Sequence, residues 1–350
     1  MSNLLKLKSI LDFPKKIVLL VHQLPDGDAL GSGLALANFF QCIGSNTTVI
    51  SPTECPYFLR WMNGFDKILI ADNNRIKTVY ETIKQADIIC CVDFSSLNRV
   101  EKLCDIIKDS TAVKIVIDHH MNPEDFGDIY LWDPKAAATA EIIFQLIVDL
   151  DKKELINMDI ANCLYAAIVT DTNSFKNPNT TSKSHLIAAN LIDIGVKTES
   201  IMRLLYSTNT LNKLKFLGFA LSERLKIWDE YKVAGFFIKS EDLKTFDLKS
   251  GDTDILISHA MSLENILVTI LVTEKDNTVK ISFRSVGDIA VNKWSNEYFG
   301  GGGHKNAAGA TCNMSLEEAT EKIELLIKEQ MQPFYSPNCC LINSNNSKTD

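Results

Sequence analysis

No stretch of the chain approaches the roughly 20 consecutive apolar residues that a membrane-spanning helix needs, which argues against an integral membrane protein. A basic surplus is also missing: 36 Lys and Arg stand against 44 Asp and Glu, for a net charge of −8. Such a balance does not hold long nucleic acid by counterion release, so a phosphate-bearing substrate would need a local basic site. The nine cysteines are odd in number, include the adjacent pairs Cys90/Cys91 and Cys339/Cys340, and nowhere form C-x-x-C. That spacing suggests neither a zinc site nor a redox pair, and reduced thiols are expected. Met1 to Phe13 carries scattered lysines and no small-residue cleavage site, so no secretion signal is read there and the chain is expected to be cytoplasmic. There is no internal repeat, and no serine or cysteine sits in a recognisable nucleophile motif.

What the chain does have is apolar material, 46% of 350 residues, enough for a well-buried core and, at this length, two domains. From Lys16 to about Trp132, short runs rich in Val and Ile read as buried parallel strands: Ile17–Val21, Thr48–Ile50, Lys67–Ile70, Ile88–Val92 and Lys114–Ile117. Leu30, Leu34, Ala37 and Phe40 fall between them at helical spacing, as do Val100, Leu103 and Ile107. The fold class is therefore α/β, with an N-terminal doubly wound, mainly parallel sheet. Helices dominate from Ala138 to about Trp228. A smaller α+β domain follows, with strands at Lys232–Ile238, Ile266–Thr273 and Val279–Arg284 and helices around Ile289–Trp294 and Ser315–Met331. The expected division is a catalytic domain over residues 1–195, a helical linker over 196–228, a second domain over 229–335 and a disordered polar tail over 336–350.

Ligands of open α/β sheets bind outside the carboxyl ends of the strands, so polar residues directly after apolar runs are the candidates for chemistry. Ile17–Val21 empties into H-Q-L-P-D-G-D (His22 to Asp28), Ile88–Val92 into Asp93, and Lys114–Ile117 into Asp118-His119-His120. A fourth place, Thr170-Asp171-Thr172, ends an apolar helix. Each has a plain alternative: D-G-D as a solvated turn, a lone aspartate as a helix cap, D-H-H as a loop with one core histidine. Their order along the chain, which lets all four converge, outweighs those separate readings. Several carboxylates gathered this closely stay ionised only with cations. Aspartate oxygen plus imidazole nitrogen, without thiolate, favours Mn²⁺ or Mg²⁺ over structural zinc.

At these residues the sequence resembles the DHH phosphoesterase family, named for the motif at Asp118-His119-His120, in the branch with a DHH-associated C-terminal domain. The likeness runs from about Pro14 to Met331. It implies that His22 and Asp26 hold one manganese, that Asp28, His119 and Asp171 hold a second, and that Asp93 bridges the two. His120 would contact the phosphate beside the leaving group, and Asp118 would orient a ligand. Leu24 departs from the H-x-N-P-D-G-D form at a position that is not a ligand in the family pattern. The two ions would share and activate a water that attacks phosphorus directly.

The glycine-rich run F-G-G-G-G-H-K-N-A-A-G (Phe299 to Gly309) resembles the signature of the C-terminal domain. Backbone N–H groups of Gly301, Gly302 and Gly303 can approach an anion closely, with His304, Arg284 and Ser285 beside them and a small-residue helix expected to begin after Lys305. Arg99, six residues after Asp93, is a further candidate for reaching the phosphate. The resemblance implies members that degrade RNA of a few nucleotides and dephosphorylate 3′-phosphoadenosine 5′-phosphate, with short nucleotides held in a cleft between the domains. Hydrolysis of linear or cyclic dinucleotides is the competing enzymatic reading, and a nucleotide-binding regulator without catalysis the competing reading of another class. The sequence leaves homodimerisation open.

Overall fold

A computed structural model describes residues 3–207, 209–248, 251–275 and 278–331. The expected polar tail at 336–350 lies outside the described residues. The chain forms two compact units that divide between residues 208 and 209, inside the stretch expected as a linker. No helix among the described residues is long and apolar enough to cross a membrane.

The first unit has six strands, β1 (Lys16–Leu20), β2 (Asn46–Ser51), β3 (Leu69–Ile70), β4 (Ile88–Val92), β5 (Val113–Asp118) and β6 (Ile129–Trp132), in the order β3-β2-β1-β4-β5-β6. Every pairing is parallel. The helices are α1 (Asn3–Ile10), α2 (Gly27–Cys42), α3 (Ile76–Lys84), α4 (Cys104–Lys108), α5 (Thr139–Asp149), α6 (Met158–Asp171), α7 (Ser182–Ile194) and α8 (Thr198–Tyr206). Both faces of the sheet are covered. Ile17, Leu19 and Val21 enter one core with α2, α5 and α6, whereas Val18 and Leu20 enter the other with α3 and α4. This two-residue period divides β4 in the same way, so the neighbouring thiols of Cys90 and Cys91 point into opposite cores. Both are free, and burial raises both far above the ordinary thiol value, so neither is a reactive group.

Two features differ from the sequence reading. The helical spacing of Val100, Leu103 and Ile107 forms no single helix: a 3₁₀ run over Leu97–Leu103 is interrupted at Glu101, whose φ is 49°, and only α4 is α-helical. The edge strand β6 is not among the strands expected from the sequence, although Ile129-Tyr130-Leu131-Trp132 is a continuous apolar and aromatic run; it is only four residues long and lies between Asp128 and Asp133.

The second unit has a mixed sheet, β7 (Leu225–Trp228), β8 (Val233–Ile238), β9 (Val268–Lys275), β10 (Thr278–Ser285), β11 (Gly302–His304) and β12 (Ala307–Cys312), in the order β11-β12-β10-β9-β8-β7. Only the β8–β9 pairing is parallel. Helices α9 (Leu211–Glu223), α10 (Ser240–Thr245) and α11 (Ile255–Met261) lie with one core, and α12 (Val291–Phe299) and α13 (Leu316–Met331) with the other. The small residues after Lys305 begin no helix; they form β12, hairpinned on β11. Their smallness serves close packing: a Cβ at Gly301 would lie 2.6 Å from Ala310 Cβ, and one at Gly309 would lie 2.9 Å from the Ile281 carbonyl oxygen.

Candidate metal centre

The strand order of the first sheet reverses between the neighbours β1 and β4, which opens a crevice at their carboxyl ends. His22 and the D-G-D turn follow β1, Asp93 follows β4, and Asp118 closes β5 just before His119 and His120. The sheet therefore delivers three of the four predicted segments to one place. The fourth arrives by helix packing. A Cβ at Gly31 of α2 would lie 2.6 Å from the Cys163 carbonyl oxygen of α6, and one at Gly27 would meet Thr170 Cγ2 at 2.6 Å. Only glycine lets these helices approach so closely, and their antiparallel contact sets Asp28, at the start of α2, beside Asp171, at the end of α6.

The candidate ligand atoms form three overlapping groups, His22–Asp26–Asp93, Asp28–His119–Asp171 and Asp93–His119–His120, the atoms in each lying within 4.8 Å of one another. His22 Nε2 is 3.5 Å from Asp93 Oδ2. His119 Nε2 lies 3.6 Å from Asp93 Oδ1, 3.7 Å from Asp171 Oδ2 and 3.9 Å from Asp28 Oδ2. These separations exceed a hydrogen bond. They suit donors arranged around common cations at ligand distances of about 2.0–2.2 Å. The other nitrogen of each ring faces a backbone carbonyl, His22 Nδ1 that of Gln23 at 2.7 Å and His119 Nδ1 that of Ala136 at 3.1 Å. A carbonyl only accepts, so Nδ1 carries a proton, and Nε2 of the neutral ring is left free to bind a cation set among the carboxylates. Asp26 caps α2 through Oδ1, which accepts the N–H groups of Asp28 and Ala29, and this leaves Oδ2 available.

Burial, followed by the charges of Asp93, Asp171 and Asp26, raises the Asp28 carboxyl well above the ordinary carboxylate range. Burial also lifts Asp171 to about 6, with His119 opposing and Asp93 and Asp26 adding to the rise. Burial lowers the His22 imidazole, yet Asp93 and Asp26 outweigh it and the net shift is upward. A buried anionic cluster that strains toward protonation in this way is chemically incomplete without cations, and its oxygen and imidazole donors fit them. His120 differs from the ligand histidines: its Nδ1 is 2.8 Å from Asp118 Oδ1, and chiefly through that bond its pKa is raised to about 9. Hydrogen bonding to His120 and Ser95 overcomes the effect of burial and holds Asp118 below the ordinary value. Arg99 is half-buried, and its charge bears on His120.

Thr139 carries no motif that marks it in the sequence. It is fully buried; its N–H donates to Asp28 Oδ2 at 2.6 Å and its hydroxyl to Asp93 Oδ1 at 2.8 Å, while Ala140 N–H donates to Asp28 Oδ1 at 3.2 Å. The signal available was a single hydroxyl in the run Ala136-Ala137-Ala138-Thr139-Ala140 just ahead of a helical pattern. Asn173, Ser174 and Phe175, three consecutive left-handed residues (φ 47°, 59° and 64°), were also unforeseen. Ser174 N–H to the Val169 carbonyl (2.7 Å) and Asn177 Nδ2 to the Asp171 carbonyl (2.9 Å) hold this turn where α6 ends. Leu24 is left-handed too, with φ 51°, and is 77% exposed.

In the second unit, Arg284 of β10 and His304 of β11 both occupy the row of Ala307 on β12. Arg284 is exposed, and its guanidinium donates to the carbonyl of Phe283 at 2.9 Å. Ser285 is engaged locally, since its hydroxyl donates to the Ile289 carbonyl at 2.7 Å and accepts from Asn306 Nδ2 at 2.9 Å. The three glycines differ. Gly301 is closed in by packing and Gly303 has φ 138°, but Gly302 has nothing within 4 Å of a Cβ position.

Residues 16–168 match the DHH family, N-terminal domain, and residues 231–329 match the DHHA1 domain. The bifunctional oligoribonuclease and PAP phosphatase NrnA of Bacillus subtilis is 30% identical over 319 residues, covering 89% of this chain and 95% of that protein. The crystal structure of an exopolyphosphatase-related protein from Bacteroides fragilis superposes with a TM-score of 0.91 at 32% identity, covering 95% of this chain and 97% of that one. The cyclic-di-AMP phosphodiesterase GdpP of Bacillus subtilis is 26% identical over 93% of this chain, which matches 49% of its length.

Proposed function

Because the chain belongs to the DHH family of metal-dependent phosphoesterases, with a DHHA1 domain behind its DHH domain, we propose that it hydrolyses short oligoribonucleotides and 3′-phosphoadenosine 5′-phosphate at a two-metal centre. The observation that carries this reading is the pair of ligand groups that meet at one buried aspartate, with Asp93 Oδ2 turned to His22 and Oδ1 to His119. His22, Asp26 and Asp93 would hold one cation, and Asp28, His119 and Asp171, with Asp93 shared, would hold its neighbour. The mix of carboxylate and imidazole favours manganese, with magnesium the alternative. Divalent cations there supply Lewis-acid activation of water and neutralise charge on the phosphoryl group.

The remaining steps fall to side chains. His120, protonated at neutral pH and fixed by Asp118, offers its other N–H to a phosphoryl oxygen or to the departing oxygen. Arg99 adds positive charge beside it. Arg284, His304 and the backbone N–H groups of Gly301 to Gly303 are assigned to binding nucleotide phosphate. Similarity to the oligoribonuclease along nearly the full length of both chains supports short RNA and the bisphosphate nucleotide over the cyclic substrate, since GdpP is about twice as long.

The test is to incubate purified protein and Mn²⁺ with dinucleotides, longer RNA, 3′-phosphoadenosine 5′-phosphate, cyclic dinucleotides and pyrophosphate, and to identify products by mass. Turnover of the dinucleotides and of the bisphosphate nucleotide is expected. Preference for cyclic dinucleotides would favour the second reading, and cleavage of pyrophosphate alone would overturn the roles given to the DHHA1 domain.

A further inference from the structure

A carboxylate turns easily about its Cβ–Cγ bond, so a bridging aspartate needs something to hold one oxygen toward each cation. Asp93 is 2% exposed, and its left-handed backbone (φ 64°) aims the side chain into the crevice region without fixing that last rotation. Among its polar neighbours the donor is Thr139, whose hydroxyl lies 2.8 Å from Oδ1, the oxygen on the His119 side. An ionised carboxylate only accepts, so the hydroxyl gives its proton to Oδ1 and leaves Oδ2 to the His22 side. The Thr139 backbone is fixed in turn, because its own N–H clamps Asp28 Oδ2 at 2.6 Å in the first turn of the 11-residue helix α5. One residue thus grips ligands of both groups at once.

We infer that Thr139 is the positioning residue that orients the Asp93 carboxylate as a bridge, and thereby couples occupation of the two cation positions. The inference rests on the two-metal reading above. Thr139→Val keeps the shape and the amide clamp on Asp28 and removes only the hydroxyl; Thr139→Ser restores the hydroxyl. Calorimetric titration of Mn²⁺ into the full chain should show two ions for the wild type. In Thr139→Val, affinity at one position should fall about 10–100-fold, with kcat reduced by a similar factor and KM little changed, and Thr139→Ser should recover both. Thr139→Ala is read in the same way should the valine variant prove unfolded by circular dichroism. Two ions bound at wild-type affinity in the valine or alanine variant would overturn the role of Thr139 alone. A wild-type chain that binds fewer than two ions would instead overturn the reading beneath it.

Discussion

The two units offer candidate functional groups of opposite kinds. In the first, the working groups are side chains, nearly all ionisable, several almost fully buried, and shifted from their ordinary protonation by one another. In the second, the candidate groups are an exposed arginine and a hairpin rich in glycine, where the backbone is the proposed recognition element. The difference separates two demands. Reaction chemistry concentrates charge in low dielectric and accepts the resulting instability, whereas recognition of a phosphate needs open N–H groups and a cation that stays hydrated until substrate arrives. Substitutions in the first unit should therefore change kcat and metal binding, and those in the second should change KM.

The largest expected effect tests that division directly. Asp93→Asn should lower Mn²⁺-dependent kcat by about 10³-fold or more, several kcal/mol of lost charge stabilisation, with the fold retained by circular dichroism. Arg284→Ala should leave kcat within a few-fold and raise KM by about 10–100-fold, the worth of one charge-assisted hydrogen bond. Steady-state kinetics on a dinucleotide decides; a kcat effect from Arg284→Ala equal to that from Asp93→Asn would break the comparison.

The next effect concerns pH and belongs to the first unit alone. Asp171 is held at about 6 in the folded, metal-free protein, above its ordinary 3.8, so folding takes up a proton between those values. Stability of the metal-free chain should accordingly fall as pH rises through that window, because the folded state binds more protons than the unfolded state. Cations must displace the same proton, so apparent metal affinity should climb with pH through that window, and the upward-shifted His22, which must also lose its proton to bind, carries the climb beyond it. The Asp28 shift acts in the same direction. Melting temperatures of chelator-treated and Mn²⁺-loaded protein across this range supply the check, and a metal-induced gain in stability that shrinks with rising pH would contradict it.

Much of this was legible in the sequence, for identifiable reasons. Apolar runs that end in His22, Asp93 and Asp118 announce both a buried parallel strand and its functional end, because a strand covered on both faces shows no polar alternation to confuse the reading. Asp171 was legible through the motif, but its reason for meeting Asp28 is the close approach of Gly27 and Gly31 to α6, a tertiary fact. Thr139 stayed hidden because one threonine among alanines looks like any helix start until its two acceptors are seen. The hairpin β11–β12 passes in the sequence for the start of a helix because runs such as Ala307-Ala308-Gly309-Ala310 suit either structure, and close packing against β10 and α12 decides between them.

The smallest expected effects set the glycines of the two units against each other. Gly31→Ala places a methyl 2.6 Å from the Cys163 carbonyl oxygen, a backbone atom with little freedom to move, and should destabilise the chain by about 1–3 kcal/mol. Gly302→Ala meets nothing within 4 Å, so its melting temperature should stay close to that of the wild type. If the N–H groups of the hairpin cradle an anion, the added methyl should still raise KM by a few-fold, since it obstructs approach to the backbone without disturbing the packing. Gly301 and Gly303 cannot make this distinction, because packing at one and a left-handed φ of 138° at the other would unsettle the hairpin whatever it binds. Thermal melts run beside KM measurements on Gly31→Ala and Gly302→Ala therefore isolate recognition from stability, and a Gly302→Ala enzyme with unaltered KM would confine substrate recognition to Arg284 and His304.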